Sequence, residues 1–204
     1  MNPPAVPRLP PLDADGWTPE DRALLRGRVA VADRYLTGRA DAPPMPGILG
    51  LLGHHPRLAA NWLALSGDLL DDPAVDPRDR ELLILRVAWR TQSRYEWAQH
   101  SRMALTAGLT DREVAAVAAP LDGAIWSDRD RQLLAAADQM VATHQVDDAT
   151  WAELAAHFDR EQLLELLFVV GTYLCLAVVL NSAGLAPDPG SDDGASRLPA
   201  PEAT

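Results

Sequence analysis

Residues 76–109 read DPRDRELLILRVAWRTQSRYEWAQHSRMALTAGL, and this stretch decides the fold. Asp76 followed by Pro77 is typical of a helix start, because aspartate caps the first free amides and proline fits the first helical position. The helix that follows is apolar on nearly every face, so we predict that it is buried. A polar turn near Gln92 leads into a second helix, which Gly108 is suited to end. The stretch therefore predicts a helical hairpin around which the rest of the chain packs.

The composition sets limits on the function. The chain has 204 residues, 48% of them apolar, which is enough for one domain with a substantial core. All 18 basic residues are arginine, so Schiff-base chemistry by a lysine is excluded. The formal net charge is −11, and no basic stripe appears, so we expect no nucleic-acid partner.

Cys175 is the single cysteine of the chain. One cysteine excludes an intramolecular disulfide, C-x-x-C redox chemistry and a cysteine-rich zinc site. The residues around it, TYLCLAVV, are apolar, and they predict a buried, unreactive thiol.

The order of segments predicts an all-α protein, since no alternating pattern of strand length is present. We divide the chain into an extended, proline-rich segment over 1–17, a single all-helical domain over 18–184 and a disordered tail over 185–204. Thr18 and Pro19 begin a first helix that we expect to reach about Thr37. Many of these boundaries follow from caps, prolines and glycines rather than from periodicity.

An apolar segment from Leu163 to Leu180 is about as long as one membrane span. It contains Glu165 and Gly171 and lacks a basic flank at its C-terminal end, so we predict a buried central helix of a cytoplasmic protein without a membrane partner. The proline-rich N-terminus, which has no apolar run, supports the same localisation.

Reactive side chains concentrate in the hairpin. Glu96 and His100 are four residues apart and share a helix face, and Ser93 lies about two turns before His100. Glu81 is on the preceding helix at a similar height, if that helix returns antiparallel. Two carboxylates beside an imidazole form a plausible general acid/base unit.

Each of these residues also has a structural explanation. Ser93 and Glu96 form the S-x-x-E pattern of a capping box, in which both side chains bind backbone amides. Glu81, in a first turn, is suited to interact with the helix dipole. His100 has the fewest structural explanations, although a hydrogen-bonded core histidine is one of them.

The pattern R-E-L-x-I-L-R-V-A, followed by Y-E-W-x-x-H and a G-L-T-D-x-E helix, resembles the carboxymuconolactone decarboxylase family, which includes the alkylhydroperoxidase-D-like proteins. The resemblance covers about residues 45–184. It implies an alkylhydroperoxidase-D-like helical bundle and a homo-oligomer, as a dimer, trimer or hexamer. In the peroxidase branch the catalytic glutamate falls on Glu81 and the histidine on His100, while the two cysteine positions fall on Ser93 and Glu96. This chain therefore lacks the thiols that peroxidase activity requires.

The resemblance then implies a lyase of the decarboxylase branch, which acts on a small carboxylated or enolic molecule without a metal or an organic cofactor. The expected catalytic residues are His100, Glu81 and Glu96, with His100 as the acid. We expect four further residues to bind substrate: Ser93, Arg86, Arg90 and Tyr173. The alternative is a non-catalytic oligomeric binding or scaffold protein that keeps the fold.

Overall fold

The computed structural model describes residues 6–39, 41–121, 124–191 and 198–200. Within these ranges the chain forms α-helices and one 3-10 helix, with no strand, so the all-α prediction is confirmed. The α-helices are α1 (Pro19–Leu25), α2 (Ala30–Asp33), α3 (Gly47–Leu52), α4 (Pro56–Asp71), α5 (Pro77–Thr91), α6 (Arg94–Thr106), α7 (Asp111–Ala116), α8 (Asp128–Thr143), α9 (Asp148–Ala155) and α10 (Arg160–Ala183). The chain folds into two compact units, Met1–Pro73 with Leu180–Asp188, and Ala74–Val179 with Pro189–Thr204.

The first unit contains α1 to α4 and the last residues of α10. Its buried apolar cluster comprises Trp17, Leu25, Val29, Ala32, Leu36, Leu49, Ala59, Ala60 and Leu63. Gly67 of α4 allows the backbone of Arg28 to approach closely, because a Cβ there would lie 2.0 Å from the Arg28 carbonyl oxygen. Any larger residue at this position would force the two segments apart.

The first helix is shorter than we predicted. The expected helix from Thr18 to about Thr37 is wrong, because α1 ends at Leu25 and Arg26 adopts an extended conformation with ψ 144°. Gly27 follows with φ +71°, a left-handed conformation that glycine adopts without strain. The chain resumes as the short helix α2.

Residues near both ends of the chain form hydrogen bonds within this unit. The Arg8 amide donates to the Ala183 carbonyl at 2.7 Å, and the Gly47 amide donates to the Asp188 carboxylate at 2.8 Å. Residues 1–5 of the predicted extended segment, and residues 192–197 and 201–204 of the predicted disordered tail, lie outside the described residues.

The second unit is built around the α5–α6 hairpin, and α5 packs against both α6 and α8. Every residue of α5 from Asp79 to Trp89 is buried, as its apolar character predicts. Gln92 closes the hairpin in a left-handed conformation with φ 54°, which places the turn where the sequence predicts it. The Glu165 carboxylate of α10 accepts from the amides of Ala74 and Val75 at 2.9 and 3.0 Å, so it fixes the segment that enters α5.

α10 differs from the prediction of a buried central helix. Among the described residues it is the one helix long and apolar enough to cross a membrane, and 50% of its most apolar window is buried. The residues of this window that are solvent-exposed include Cys175, so the prediction of a buried thiol is wrong. The apolar sequence around Cys175 could not show this, because it is apolar on both helix faces.

Candidate active site

Glu81 of α5 and His100 of α6 are in direct contact. The Glu81 Oε2 atom lies 2.7 Å from His100 Nδ1, and both side chains are buried. Since a carboxylate can only accept, Nδ1 donates to it, and Nε2 is the ring nitrogen that remains for chemistry. The predicted convergence of these two residues is confirmed, and the carboxylate holds the imidazole in one orientation.

Arg80 binds the second oxygen of the Glu81 carboxylate, the one that does not contact His100. Its Nε and Nη2 atoms donate to Glu81 Oε1 at 3.3 and 3.2 Å, and the side chain is buried. The result is a buried chain of three charged or polar groups, Arg80, Glu81 and His100. Sequence reasoning missed Arg80, because neighbours in a helix do not face each other and only a long side chain can fold back in this way. The signal that could have found it is the R-E pair itself, with an arginine next to a buried glutamate.

Tyr173 of α10 lies against the imidazole. The two rings meet edge to face, with centroids 4.9 Å apart and an interplanar angle of 89°. Burial raises the pKa of the Tyr173 phenol well above its usual range, and the nearby Glu81 and Glu96 carboxylates raise it further. The hydroxyl therefore remains protonated and is able to donate a hydrogen bond.

The Glu96 and Ser93 side chains are buried at the start of α6 and do not form a hydrogen bond with each other. Within the part of the chain that the structure describes, neither Glu96 oxygen nor the Ser93 hydroxyl has a hydrogen-bond partner. Ser93 is the N-cap of α6 by its backbone, but its side chain makes no capping bond, so the predicted capping box is wrong. Burial raises the pKa of Glu96 to about 8, and the Ser93 hydroxyl, which lies near the carboxyl without reaching hydrogen-bond geometry, offsets part of the rise.

The raised pKa of Glu96 has a measurable effect on stability. Glu96 keeps its proton to about pH 8 in the folded chain but loses it near its usual 4.5 when unfolded. Stability is therefore complete below about pH 4.5 and decreases as the pH rises towards 8. We expect Glu96→Gln to unfold at higher urea than the wild type at pH 8.5, by on the order of 3 kcal/mol, and to match it near pH 5.

The control for this experiment is Glu153→Gln, which changes an exposed glutamate of α9. Asp79 acts in the same direction at lower pH, because burial raises its pKa to about 6, but both chains contain it, so the difference in stability between them reports Glu96 alone. If the wild type and Glu96→Gln lose stability in parallel between pH 6 and pH 8.5, Glu96 does not titrate in this range.

Arg86 and Arg90, which we predicted to bind substrate, are placed elsewhere by the structure. The buried Arg86 guanidinium donates to both oxygens of Asp138 at 2.7 Å, and also to the carbonyls of Val117 and Ala119. Arg90 lies 3.3 Å from the same Asp138 carboxylate. Both therefore hold α5 against α8, and the arginine that the structure brings to Glu81 is Arg80.

The described residues contain no group of three or more histidine, cysteine, aspartate or glutamate side chains placed to hold a metal ion. What the arrangement offers is proton transfer, by three buried groups: an oriented imidazole and a carboxyl that is protonated at neutral pH on α6, and a phenol on α10. Groups of this kind, with shifted pKa values in a buried cluster, are typical of acid/base sites.

Comparison with known proteins supports the fold and gives a match to one family model over part of the chain. Residues 56–139 match the model of the carboxymuconolactone decarboxylase family, a range that includes Glu81, Ser93, Glu96 and His100. A search of curated proteins found no match.

Three solved structures share the fold at low sequence identity. One, described as an alkylhydroperoxidase AhpD core and an uncharacterized peroxidase-related protein of Ralstonia eutropha, superposes with a TM-score of 0.73 at 19% identity, over 91% of this chain and 94% of that one. An uncharacterized peroxidase-related protein of a Silicibacter species gives 0.70 at 16% identity, over 94% and 96%. A protein of unknown function from Agrobacterium tumefaciens, described as a putative antioxidant defence protein AhpD, gives 0.62 at 16% identity, over 67% and 94%.

Proposed function

We propose that the chain is an acid/base enzyme of the decarboxylase type, acting on a small carboxylated or enolic compound, since residues 56–139 match the model of the carboxymuconolactone decarboxylase family. The observation that carries this proposal is the 2.7 Å contact between Glu81 Oε2 and His100 Nδ1 inside the hairpin. A buried carboxylate that orients an imidazole is the arrangement that proton transfer at neutral pH requires.

The proposed step is the loss of carbon dioxide from an acid whose carboxylate is conjugated to a carbonyl or lactone. The bond between the carbon and the carboxylate breaks, its electron pair moves into the conjugated system, and the carbon then takes up a proton. His100 supplies that proton from Nε2 and recovers one from water, while Glu81 stabilises the cationic ring. With the proton that His100 takes back from water, atoms and electrons balance.

The other groups around the imidazole assist by binding and by charge. Tyr173 contributes a protonated hydroxyl for the electron-rich oxygen that forms as carbon dioxide leaves. Glu96, with a pKa of about 8, is a second carboxylic acid that still carries its proton at neutral pH. Arg80 holds the Glu81 carboxylate and supplies the positive charge that we had expected from Arg86 or Arg90.

Thiol peroxidase chemistry is not part of the proposal. That chemistry passes electrons through two cysteines, and this chain has only Cys175. The family resemblance implies that Ser93 and Glu96 fall on the two cysteine positions, and neither side chain can form a disulfide.

The experiment is turnover of a panel of muconolactone-like acids, followed by carbon dioxide release. We expect His100→Ala to lose at least about 100-fold in kcat relative to the wild type on the best substrate. His157→Ala, which changes an exposed histidine, is the matched control and should retain full activity. Equal rates for the wild type and His100→Ala would remove His100 from the mechanism. Absence of turnover on the whole panel would favour the non-catalytic binding protein.

A further inference from the structure

The start of α6 contains three buried polar atoms that have no partner in the chain. Within the part of the chain that the structure describes, seven buried side-chain nitrogen and oxygen atoms lack a hydrogen bond, and three of them are Ser93 Oγ, Glu96 Oε1 and Glu96 Oε2. Ser93 is fully buried, and Glu96 is 2% exposed. The Ser93 hydroxyl lies near enough to Glu96 to lower the pKa of its carboxyl. The three unpartnered atoms therefore form one group rather than separate sites.

Glu96 differs in this respect from the other buried acids. Among the described residues, these are Asp79, Glu81 and Asp130, and each forms at least one bond to an arginine. A buried polar atom without a partner costs the free energy of its lost hydration. In a binding site this cost is recovered when a ligand supplies the missing bonds, which is how such sites discriminate between ligands.

This group of atoms adjoins the proposed acid. Glu96 and His100 are four residues apart on α6 and share a helix face. The Glu96 carboxylate is also near enough to Tyr173 to raise the pKa of the phenol, as Glu81 does. The His100 side chain is 9% exposed, against 1% for Glu81, so the cluster is most accessible at the imidazole. Since no hydrogen bond holds the Glu96 side chain, it can turn towards a group that enters there.

We propose that Ser93 and Glu96 bind an uncharged hydroxyl group of the substrate, which would make the substrate a hydroxylated acid. A hydroxyl both donates and accepts, so it can donate to a Glu96 oxygen and accept from the Ser93 hydroxyl. This inference rests on the proposed function, to which it adds a pair of specificity-determining residues. It also assigns a role to Ser93, which the proposed reaction does not use.

A second carboxylate fits these residues less well than a hydroxyl does. A carboxylate only accepts, so it would leave one oxygen of the protonated Glu96 without a partner. Its charge would also lack a counterion: burial raises the pKa of Glu96, and among the described residues only the Ser93 hydroxyl lowers it. The Arg80 guanidinium is already bound to Glu81. Finally, a hydroxyl needs space for one heavy atom, whereas a carboxylate or an amide needs space for three.

The experiment measures binding at pH 7 by isothermal titration calorimetry, with benzoate and its three monohydroxylated isomers as probes. All four probes carry one carboxylate, and the isomers differ from benzoate only by the hydroxyl. We expect at least one isomer to bind the wild type at least about 10-fold more tightly than benzoate. The same ratio should fall below about 2-fold in Ser93→Ala and in Glu96→Met, because each removes partners of the hydroxyl.

Two further variants serve as controls. Glu96→Gln keeps an uncharged donor and acceptor, so it should keep the preference for the hydroxyl. Ser101→Ala removes another buried serine of α6, whose hydroxyl donates to the Trp97 carbonyl at 2.7 Å, and should leave the ratio unchanged. The urea midpoint gives a second measurement. Ser101→Ala should lower it, whereas Ser93→Ala should not, because the Ser93 hydroxyl has no bond to lose.

Equal affinities of the wild type for benzoate and all three isomers would overturn the proposal and would assign the three atoms to an enclosed water. Absence of binding would overturn it as well, as would a hydroxyl preference that survives in both Ser93→Ala and Glu96→Met. A lower urea midpoint in Ser93→Ala would give Ser93 a structural role instead. These measurements do not depend on turnover, so His100→Ala should keep the preference. An inactive wild type that prefers the hydroxylated probe would contradict the proposed reaction and support the subsite.

Discussion

Replacing Glu81 by glutamine should lower kcat on the best substrate by about 10²- to 10⁴-fold. The substitution keeps the size of the side chain but removes the charge that faces His100 Nδ1 at 2.7 Å. A glutamine can also turn its amide towards Nδ1, which favours the opposite tautomer of the ring. The imidazole then loses both its orientation and the anion that stabilises its protonated form.

A double variant shows whether the two residues act as one unit. If Glu81 works only through the imidazole, Glu81→Gln combined with His100→Ala should be no slower than His100→Ala alone. The measurement is kcat for the wild type, both single variants and the double variant, with circular dichroism to verify that each is folded. Losses that multiply in the double variant would mean that Glu81 acts independently of His100.

Arg86→Met should destabilise the fold by about 3 kcal/mol, near the lower end of the range for breaking a buried ion pair. Arg86 is buried and uses four hydrogen bonds to join α5 to Asp138 of α8 and to the carbonyls of Val117 and Ala119. Methionine fills the space but leaves the two carbonyls without this donor. Because Asp138 is 22% exposed, water recovers part of the loss at the carboxylate.

Arg90→Met is the control for this prediction. Arg90 contacts the same Asp138 carboxylate at 3.3 Å, but its side chain is 33% exposed, so we expect a loss below about 1 kcal/mol. Urea unfolding of the wild type and both variants gives the comparison. The pair Arg86→Met and Asp138→Leu should recover part of the stability, because no charge is then left unpaired. Equal losses for Arg86→Met and Arg90→Met would show that burial does not set the strength of these contacts.

The helical hairpin and its turn could be predicted because their determinants are local. Asp76 caps α5 through its side chain, and Gln92 closes the turn, as the sequence indicates. The prediction of one continuous first helix was wrong because the break in it is not determined locally. A helix pattern over Thr18 to Thr37 does not reveal that Gly27 adopts a left-handed conformation, which depends on how α1 and α2 pack.

The candidate site could be predicted only in part. Glu81 and His100 were identified because their spacing from the turn fixes their heights on antiparallel helices, and the contact at 2.7 Å agrees with that. Arg80 was missed and Arg86 misplaced, although they lie on the same helix. Arg80 reaches Glu81 within α5 because its long side chain folds back, whereas Arg86 reaches Asp138 because of how α5 is rotated against α8, and this rotation is a property of the packed core.

The sequence by itself determined the all-helical hairpin architecture, the resemblance to one family model over residues 56–139, and the lack of a cysteine pair, since these follow from local patterns and residue identities. The tertiary structure alone decided that Ser93 and Glu96 are buried and form no capping hydrogen bonds, and that Cys175 is on an exposed apolar face. The physical reason is the same in each case. Burial depends on which other segments cover a side chain, and α10 is apolar on both faces although only half of its most apolar window is buried.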